Sequence, residues 1–240
     1  MDTIFPDVIG QPRAKRLLDF YVEGYKSTKV MPHLMFVAPK GCGKTLLGRS
    51  VAKTLKSIDD AKVYFEPNCS TIKNIKQFFN QMLIPYCQDR DATILFDEAS
   101  EIPRDVSMAL LTILNPNAEN RTSFTFDDYT IDFDFSRLTF MFATTETQSV
   151  FHALMDRLTR VDLEEYSLDE MGKIVQLHLD VKIEPDTLIE IASVLRGNAR
   201  DGMKMALNIT NLCSQRKIKT FGAKEWATLR HKLGIVPLGL

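Results

Sequence analysis

From Gln11 onward, Ala14, Leu17, Leu18, Tyr21, Val22 and Tyr25 recur at spacings of three and four, with Pro12 suited to a first helical turn. That spacing gathers them on one face and predicts an amphipathic helix. The pattern then switches to five consecutive apolar residues, Leu34 to Ala38, followed by a glycine-bearing stretch and a second helical stripe of Leu47, Val51 and Leu55. The alternation repeats in "KVYFE" with a helix through Ile75, Phe78, Phe79 and Met82, and in "ATILF" with a helix from Pro103 to Leu114. It ends in "LTFMFA" with a short helix before Arg157. Short, wholly apolar strands between helices predict an α/β fold, a parallel central sheet covered by helices on both faces.

Near Val161 the pattern changes. "SLDE" reads as a capping box, Ser167 with Glu170, and only helical periodicity follows, over 168–181, 186–195, 200–214 and 223–233. The expected organisation is an α/β domain over 1–163 and a small all-helical lid domain over 164–240. His178 falls on the apolar stripe of Met171, Ile174 and Val175, and is expected to pack there. Between Asn120 and Ser136, "NRTSFTFDDYTIDFDFS" alternates aromatic and β-branched residues with polar ones on both sides of Asp127 and Asp128. It predicts a β-hairpin arm over about 120–136.

Composition narrows the classes. The 240 residues are 45% hydrophobic, enough for one large core and a smaller second one. Thirty basic and 31 acidic side chains nearly cancel, so any contact with nucleic acid must be local. The segment from Arg196 onward is locally basic, which suits weak contact with a phosphate backbone or a solvated surface equally well. Cys42, Cys69, Cys87 and Cys213 are scattered without a C-x-x-C pair, which argues against a zinc site and suits free thiols in a reducing compartment. No leader-like start and no apolar stretch of about 18 residues is present, so a cytoplasmic protein without membrane contact is expected.

Two motifs carry chemistry. "APKGCGKT", Ala38 to Thr45, matches G-x-x-x-x-G-K-[ST] except that alanine replaces the first glycine. In such a loop main-chain N–H groups hold phosphates, the lysine pairs with the outer two and the threonine hydroxyl ligates Mg²⁺. Pro39, Lys40, Gly41, Cys42, Gly43, Lys44, Thr45 and Leu46 are therefore the candidate nucleotide contacts. A glycine-rich turn would carry similar residues, but the flanking strand and helix favour the phosphate loop. "ILFDEAS" ends an apolar strand in Asp97 and Glu98, 53 residues after Lys44. Asp97 is the candidate Mg²⁺ ligand and Glu98 the group that polarises the attacking water, although an acidic turn after a strand looks the same in isolation.

In order along the chain, "DVIGQPRAKRLLDF", "APKGCGKT", "ILFDEAS", "FMFATTET", "LMDRLTR" and "RGNARDG" resemble the AAA+ ATPases. "DVIGQ", the double threonine and the R-G-x-x-R pattern point within them to the RuvB family of Holliday-junction branch-migration motors, from about Phe5 to the end of the chain. The resemblance implies ATP and Mg²⁺ as cofactors, with Val8 and Ile9 lining the adenine pocket. It implies Thr145, beside Thr144, as sensor of the γ-phosphate and attacking water, although a threonine pair at a strand end also serves as a cap. Arg157 matches the finger offered to a neighbouring subunit; Met155 stands where the family has a second arginine, and Arg160 is the weaker candidate. Arg200 matches the sensor carried by the lid, with Ala199 in place of the family's proline.

The same resemblance implies a homo-oligomeric ring or spiral, a hexamer, acting on branched or double-stranded DNA. A protein partner is expected at the hairpin residues Phe124, Phe126, Tyr129, Ile131 and Phe133, unless the hairpin merely completes a sheet. RuvB proteins carry a third, winged-helix domain that contacts DNA, and the present residues stop at "LGIVPLGL", about where it would begin. The function so implied is ATP hydrolysis coupled to DNA translocation or branch migration. A clamp-loader-like or protein-remodelling ATPase, and an ATP-dependent assembly switch with little hydrolysis, remain as alternatives.

Overall fold

The computed structural model describes residues 4–115, 121–126, 129–147, 150 and 152–235. They fall into two compact units, the first running to Ala38 and from Lys44 to Leu163, the second comprising Pro39–Gly43 and the chain from Glu164 onward.

The first unit opens with α1 (Pro12–Thr28), β1 (Leu34–Val37), α2 (Lys44–Ile58) and β2 (Val63–Phe65). A nearly continuous helix follows as α3 (Ile75–Phe78), a π-helical turn over Phe79–Leu83, and α4 (Ile84–Cys87). Pro85 has no N–H to give to the preceding turn, which accounts for the changed register there. Then come β3 (Ala92–Phe96), α5 (Arg104–Ile113), β4 (Arg121–Phe126), β5 (Tyr129–Asp134), β6 (Leu138–Thr144), α6 (His152–Met155) and β7 (Thr159–Asp162). Five strands form a parallel sheet in the order β2-β3-β6-β1-β7.

Every residue of β3 and β6 is buried, as expected of inner strands covered on both faces. Phe96 and Phe142 stack across them with centroids 4.9 Å apart. The edge strand β7 had no counterpart in the apolar pattern. In "TRVD" only Val161 is buried, and the segment is held by pairing with β1 from Leu34↔Thr159 to Val37↔Asp162. At the amino-terminal end of the sheet, His33 accepts the Phe140 N–H at Nδ1, 3.1 Å away. Burial pushes that imidazole down to about 4.

β4 and β5 form the hairpin, in register from Arg121↔Asp134 to Phe126↔Tyr129. Its placement gives three of the five expected partner residues a packing role. Phe124, Ile131 and Phe133 lie on the face packed against the main core, and Phe133 is 2% exposed. Phe124 meets Phe79 edge-on at 4.9 Å, and Phe133 stacks on Phe135 at 5.3 Å. Among the described members of the stripe, Phe133 is covered by the protein itself and Phe124 and Ile131 are partly so. The opposite face carries exposed Ser123, Thr125, Thr130 and Asp132, with Ser123 donating to Asp132 at 2.5 Å and the two threonines 3.1 Å apart. The side chains of Phe126 and Tyr129 lie outside the described set.

The second unit contains α7 (Leu168–Leu177), β8 (Lys182–Ile183), α8 (Pro185–Val194), α9 (Ala199–Arg216), β9 (Thr220–Phe221) and α10 (Ala223–Lys232). The capping box forms: the Ser167 hydroxyl receives the Glu170 N–H, and the Glu170 carboxylate receives the Ser167 N–H at 2.8 Å. Two expectations are corrected. α7 stops at Leu177, and His178 is its exposed C-cap rather than a packed member of the stripe. The unit is also not purely helical, because β8 and β9 pair in parallel. Met171, Val175, Ile191, Ile209, Phe221 and Trp226 are among its buried side chains. Among the described residues, no helix is long and apolar enough to cross a membrane.

Candidate nucleotide site

β1, β6 and β3 are parallel neighbours, so their carboxyl ends lie side by side, where sheets of this kind hold ligands. β1 runs into Ala38. This residue is buried, and it is not among the left-handed positions of the backbone, so alanine fits where the motif asks for glycine. Gly41 and Gly43, by contrast, have φ of +86° and +87°, a region that side chains disfavour. The motif's glycines thus stand where conformation requires them, and the departure falls where it does not.

Lys44 and Thr45 open α2. The Lys44 ammonium donates to the Ala38 carbonyl at 2.7 Å, and the Thr45 hydroxyl donates to Asp97 Oδ2 at 3.2 Å. Leu46, the next residue, is exposed. Asp97 follows β3 and is fixed by its backbone: its N–H reaches the Pro67 carbonyl at 3.2 Å, and its carbonyl receives the Cys69 N–H at 3.0 Å. Behind it the Cys69 thiol is held well above its ordinary pKa, first by burial and then by the carboxylates of Asp97, Glu98 and Glu101.

Glu98 is exposed and adopts a left-handed conformation, φ 56° and ψ 49°. Its N–H donates to Asp97 Oδ1 at 3.0 Å, and its carbonyl receives the Glu101 N–H at 2.9 Å. Those bonds hold a non-glycine residue where it costs on the order of 1 kcal/mol. At the end of β6, Thr144 is buried, exchanging hydrogen bonds with the backbone of Glu146, while Thr145 is exposed. Thr144 thus plays the capping part, and Thr145 is free of that duty. Val8 is buried, Ile9 is half-buried, and the Val8 carbonyl accepts from the Lys15 ammonium.

The two candidate fingers differ. Arg157 is half-buried; its Nη1 donates to the Ala153 carbonyl at 2.8 Å, and its buried Nε has no partner among the described residues. Arg160 is exposed and engaged with Asp162, Nε lying 2.8 and 3.0 Å from the two carboxylate oxygens.

In the second unit, Pro39 and Lys40 are exposed and Cys42 is buried. The Gly41 carbonyl accepts the Ala199 N–H at 3.1 Å, and the Cys42 carbonyl accepts the Tyr166 hydroxyl at 3.2 Å. A Cβ on Gly41 would stand 2.0 Å from Asn198 Oδ1, and one on Gly43 would stand 2.6 Å from the Tyr166 hydroxyl. Tyr166 lies in none of the quoted motifs, and Asn198 falls at an unspecified position of R-G-x-x-R. Arg200 is exposed in the first turn of α9, and its backbone N–H is capped by Asn198 Oδ1 at 3.0 Å.

These features suit a magnesium–nucleotide complex. Left-handed glycines flank Cys42, an ammonium follows, and a hydroxyl lies against a carboxylate. Mg²⁺ commonly takes one or two such protein oxygens together with phosphate and water. No cluster of three or more His, Cys, Asp or Glu side chains forms a protein-only metal cage among the described residues.

Comparison with known proteins agrees with this chemistry. Residues 34–166 match the model of the ATPase family associated with various cellular activities (AAA). Lon protease 1 of Bdellovibrio bacteriovorus is 29% identical over 160 residues, covering 61% of this chain and 20% of its own length. The peroxisomal Lon protease homolog 2 of Danio rerio is 28% identical over 206 residues, covering 75% and 24%. The chain thus spans about a fifth to a quarter of these curated relatives. Among solved structures, a variant of Thermotoga maritima RuvB matches with a TM-score of 0.82 at 20% identity, over 100% of this chain and 75% of that one. The Thermotoga maritima RuvB Holliday junction branch migration motor matches with a TM-score of 0.79 at 20% identity, over 97% and 72%. A family match over more than half of the chain, on a parallel sheet that carries the phosphate-loop lysine and the acidic strand end, places the protein in the AAA family of ATPases.

Proposed function

We propose that the protein is a Mg²⁺-dependent ATP hydrolase that couples turnover to movement on branched or double-stranded DNA, as a ring- or spiral-forming assembly of the RuvB kind. The observation that carries the coupling is the extent of the fold match, which covers the whole chain and so includes the second unit along with the sheet.

When bound, magnesium–ATP supplies the scissile phosphoanhydride and a divalent charge. Lys44 provides the cation for the outer phosphates, exchanging its bond to the Ala38 carbonyl for theirs. Thr45 and Asp97 present the hydroxyl and carboxylate oxygens for the metal. Glu98 accepts the proton of the attacking water at its exposed carboxylate, and Thr145 orients that water from the neighbouring strand end. Arg157 acts on a neighbouring subunit's nucleotide through its half-buried guanidinium. Arg200 reports the phosphate state from the second unit.

A second reading, a remodeller of protein substrates, is favoured by the Lon relatives. The deciding experiment is steady-state ATP turnover alone, with a four-way DNA junction, and with an unfolded protein such as casein. Stimulation by the junction supports the motor. Stimulation by casein alone transfers the assignment to remodelling, and stoichiometric binding without turnover replaces both with an assembly switch.

A further inference from the structure

The phosphate loop has two sides. Residues of alternating hand, left-handed Gly41 and Gly43 around Cys42, turn successive N–H groups together into an anion cradle and leave their carbonyls on the back. Cys42 is buried, so a carbonyl on that side must find a donor or carry a desolvation cost. Within the second unit, two donors meet successive carbonyls there. The Ala199 N–H reaches Gly41 at 3.1 Å, and the Tyr166 hydroxyl reaches Cys42 at 3.2 Å.

The Ala199 bond satisfies orphans at both ends. Ala199 is the first residue of α9, and the first four N–H groups of a helix have no partner within it. Its position is fixed by 18 residues of helix and by the Asn198 cap. The bond exists only because residue 199 is not proline, which has no N–H. Asn198 and the Tyr166 hydroxyl also fill the space a side chain at 41 or 43 would need, so the loop is held by shape as well as by hydrogen bonds.

We infer that Tyr166 and Ala199 are positioning residues for nucleotide binding: they hold the back of the phosphate loop so that its N–H groups are preset for phosphate. The inference rests on the loop's being the nucleotide site. It does not depend on what the hydrolysis drives.

Each bond can be removed alone. Proline is favoured at the first position of a helix, and Asn198, at φ −97° and ψ 106°, already has the extended conformation that a following proline requires. Ala199→Pro therefore deletes the N–H and keeps the helix, and Tyr166→Phe deletes the hydroxyl and keeps the ring. Ala199→Ser retains the N–H and serves as the conservative control.

Affinity for a fluorescent ATP analogue with Mg²⁺ is measured for the parent, the three variants and Lys44→Ala, with amide exchange of the 38–47 peptide in nucleotide-free protein. Each deleted bond is expected to raise Kd by about 2- to 13-fold, the range for one neutral hydrogen bond. Exchange of the loop should rise in the same two variants, and Ala199→Ser should match the parent. If the parent binds, Lys44→Ala does not, and both deletions keep parental Kd and exchange, the positioning role is overturned while the site stands. If the parent fails to bind, the site and the inference fall together.

Discussion

Acid should loosen the first unit through His33. Its Nδ1 accepts the Phe140 N–H, so the ring must be neutral there, and burial lowers its pKa from 6.5 to about 4. The unfolded chain takes up this proton as pH falls through 6.5, and the folded chain only near 4. Stability is thus intact above 6.5 and lost progressively between 6.5 and 4. The fall in pKa corresponds to a ceiling of about 3 kcal/mol, of which about 2 kcal/mol is already lost at pH 5. His33→Asn is the matched variant, because its side-chain carbonyl can take the acceptor role of Nδ1 and does not titrate. The chain's one tryptophan, Trp226, reports on the second unit, so unfolding of the first is better followed by amide exchange of the 138–144 peptide across a urea series. Between pH 7.5 and pH 5 the parent should lose about 2 kcal/mol more than His33→Asn, since all other acid-sensitive groups are common to both. Equal losses would refute the argument and show that the site relaxes around a charged ring.

Other outcomes follow from the site and the hairpin. Lys44→Ala should abolish magnesium–ATP binding in isothermal titration, and unchanged affinity would remove the phosphate-loop assignment. Glu98→Gln should bind nucleotide and lose turnover, whereas Glu98→Gly should lose turnover and also melt higher, by about 1 kcal/mol of relieved backbone strain. Arg157→Ala should bind well and hydrolyse poorly, by about 10³- to 10⁵-fold if the arginine acts as a finger. Mixing it with Lys44→Ala should restore activity if sites are shared, and no recovery in verified mixed assemblies would confine Arg157 to its own subunit. Phe133→Ala should cost about 3–5 kcal/mol in urea unfolding, as for a fully packed ring; a cost under about 1 kcal/mol would return the hairpin to the role of a free arm.

The sheet was legible because inner parallel strands are buried on both faces, so "ATILF" and "LTFMFA" read as unbroken apolar runs. β7 was not, because an edge strand with one buried residue looks like a charged loop; its register comes from β1, which local sequence does not encode. The hairpin shows a different limit. Alternation correctly announced two strands with an aromatic face, but a partner and the protein's own core satisfy such a face equally well. Only the packing of Phe124 on Phe79 decides between them. Within the site, the motifs drew attention to the loop and the acidic pair, and Thr45 and Asp97 do meet. The back of the loop was invisible, because Tyr166 and Cys42 are 124 positions apart and no periodicity links them.

Three features run against local preference, and each concerns a residue that the folded chain leaves with work to do. Glu98 bears left-handed strain without packing to compensate for it, since it is exposed. Lys29 and Lys217 share that conformation, but they close helices, where a left-handed residue satisfies the last carbonyls. Glu98 closes none; its conformation turns the chain immediately after the Asp97 carboxylate. Arg200 stands in the first turn of α9, where the positive end of the helix disfavours a cation by about 0.3–1 kcal/mol. The nearby Asp201 does not offset it, being paired with Lys204 at 3.2 Å. Arg157 keeps a buried Nε without an acceptor among the described residues. A carboxylate held under strain and two cations lacking their anions do not stabilise this chain by itself. On the proposed hydrolytic reading each has a use that a purely structural one does not give it: Glu98 toward the attacking water, Arg200 toward this chain's nucleotide and Arg157 toward a neighbour's.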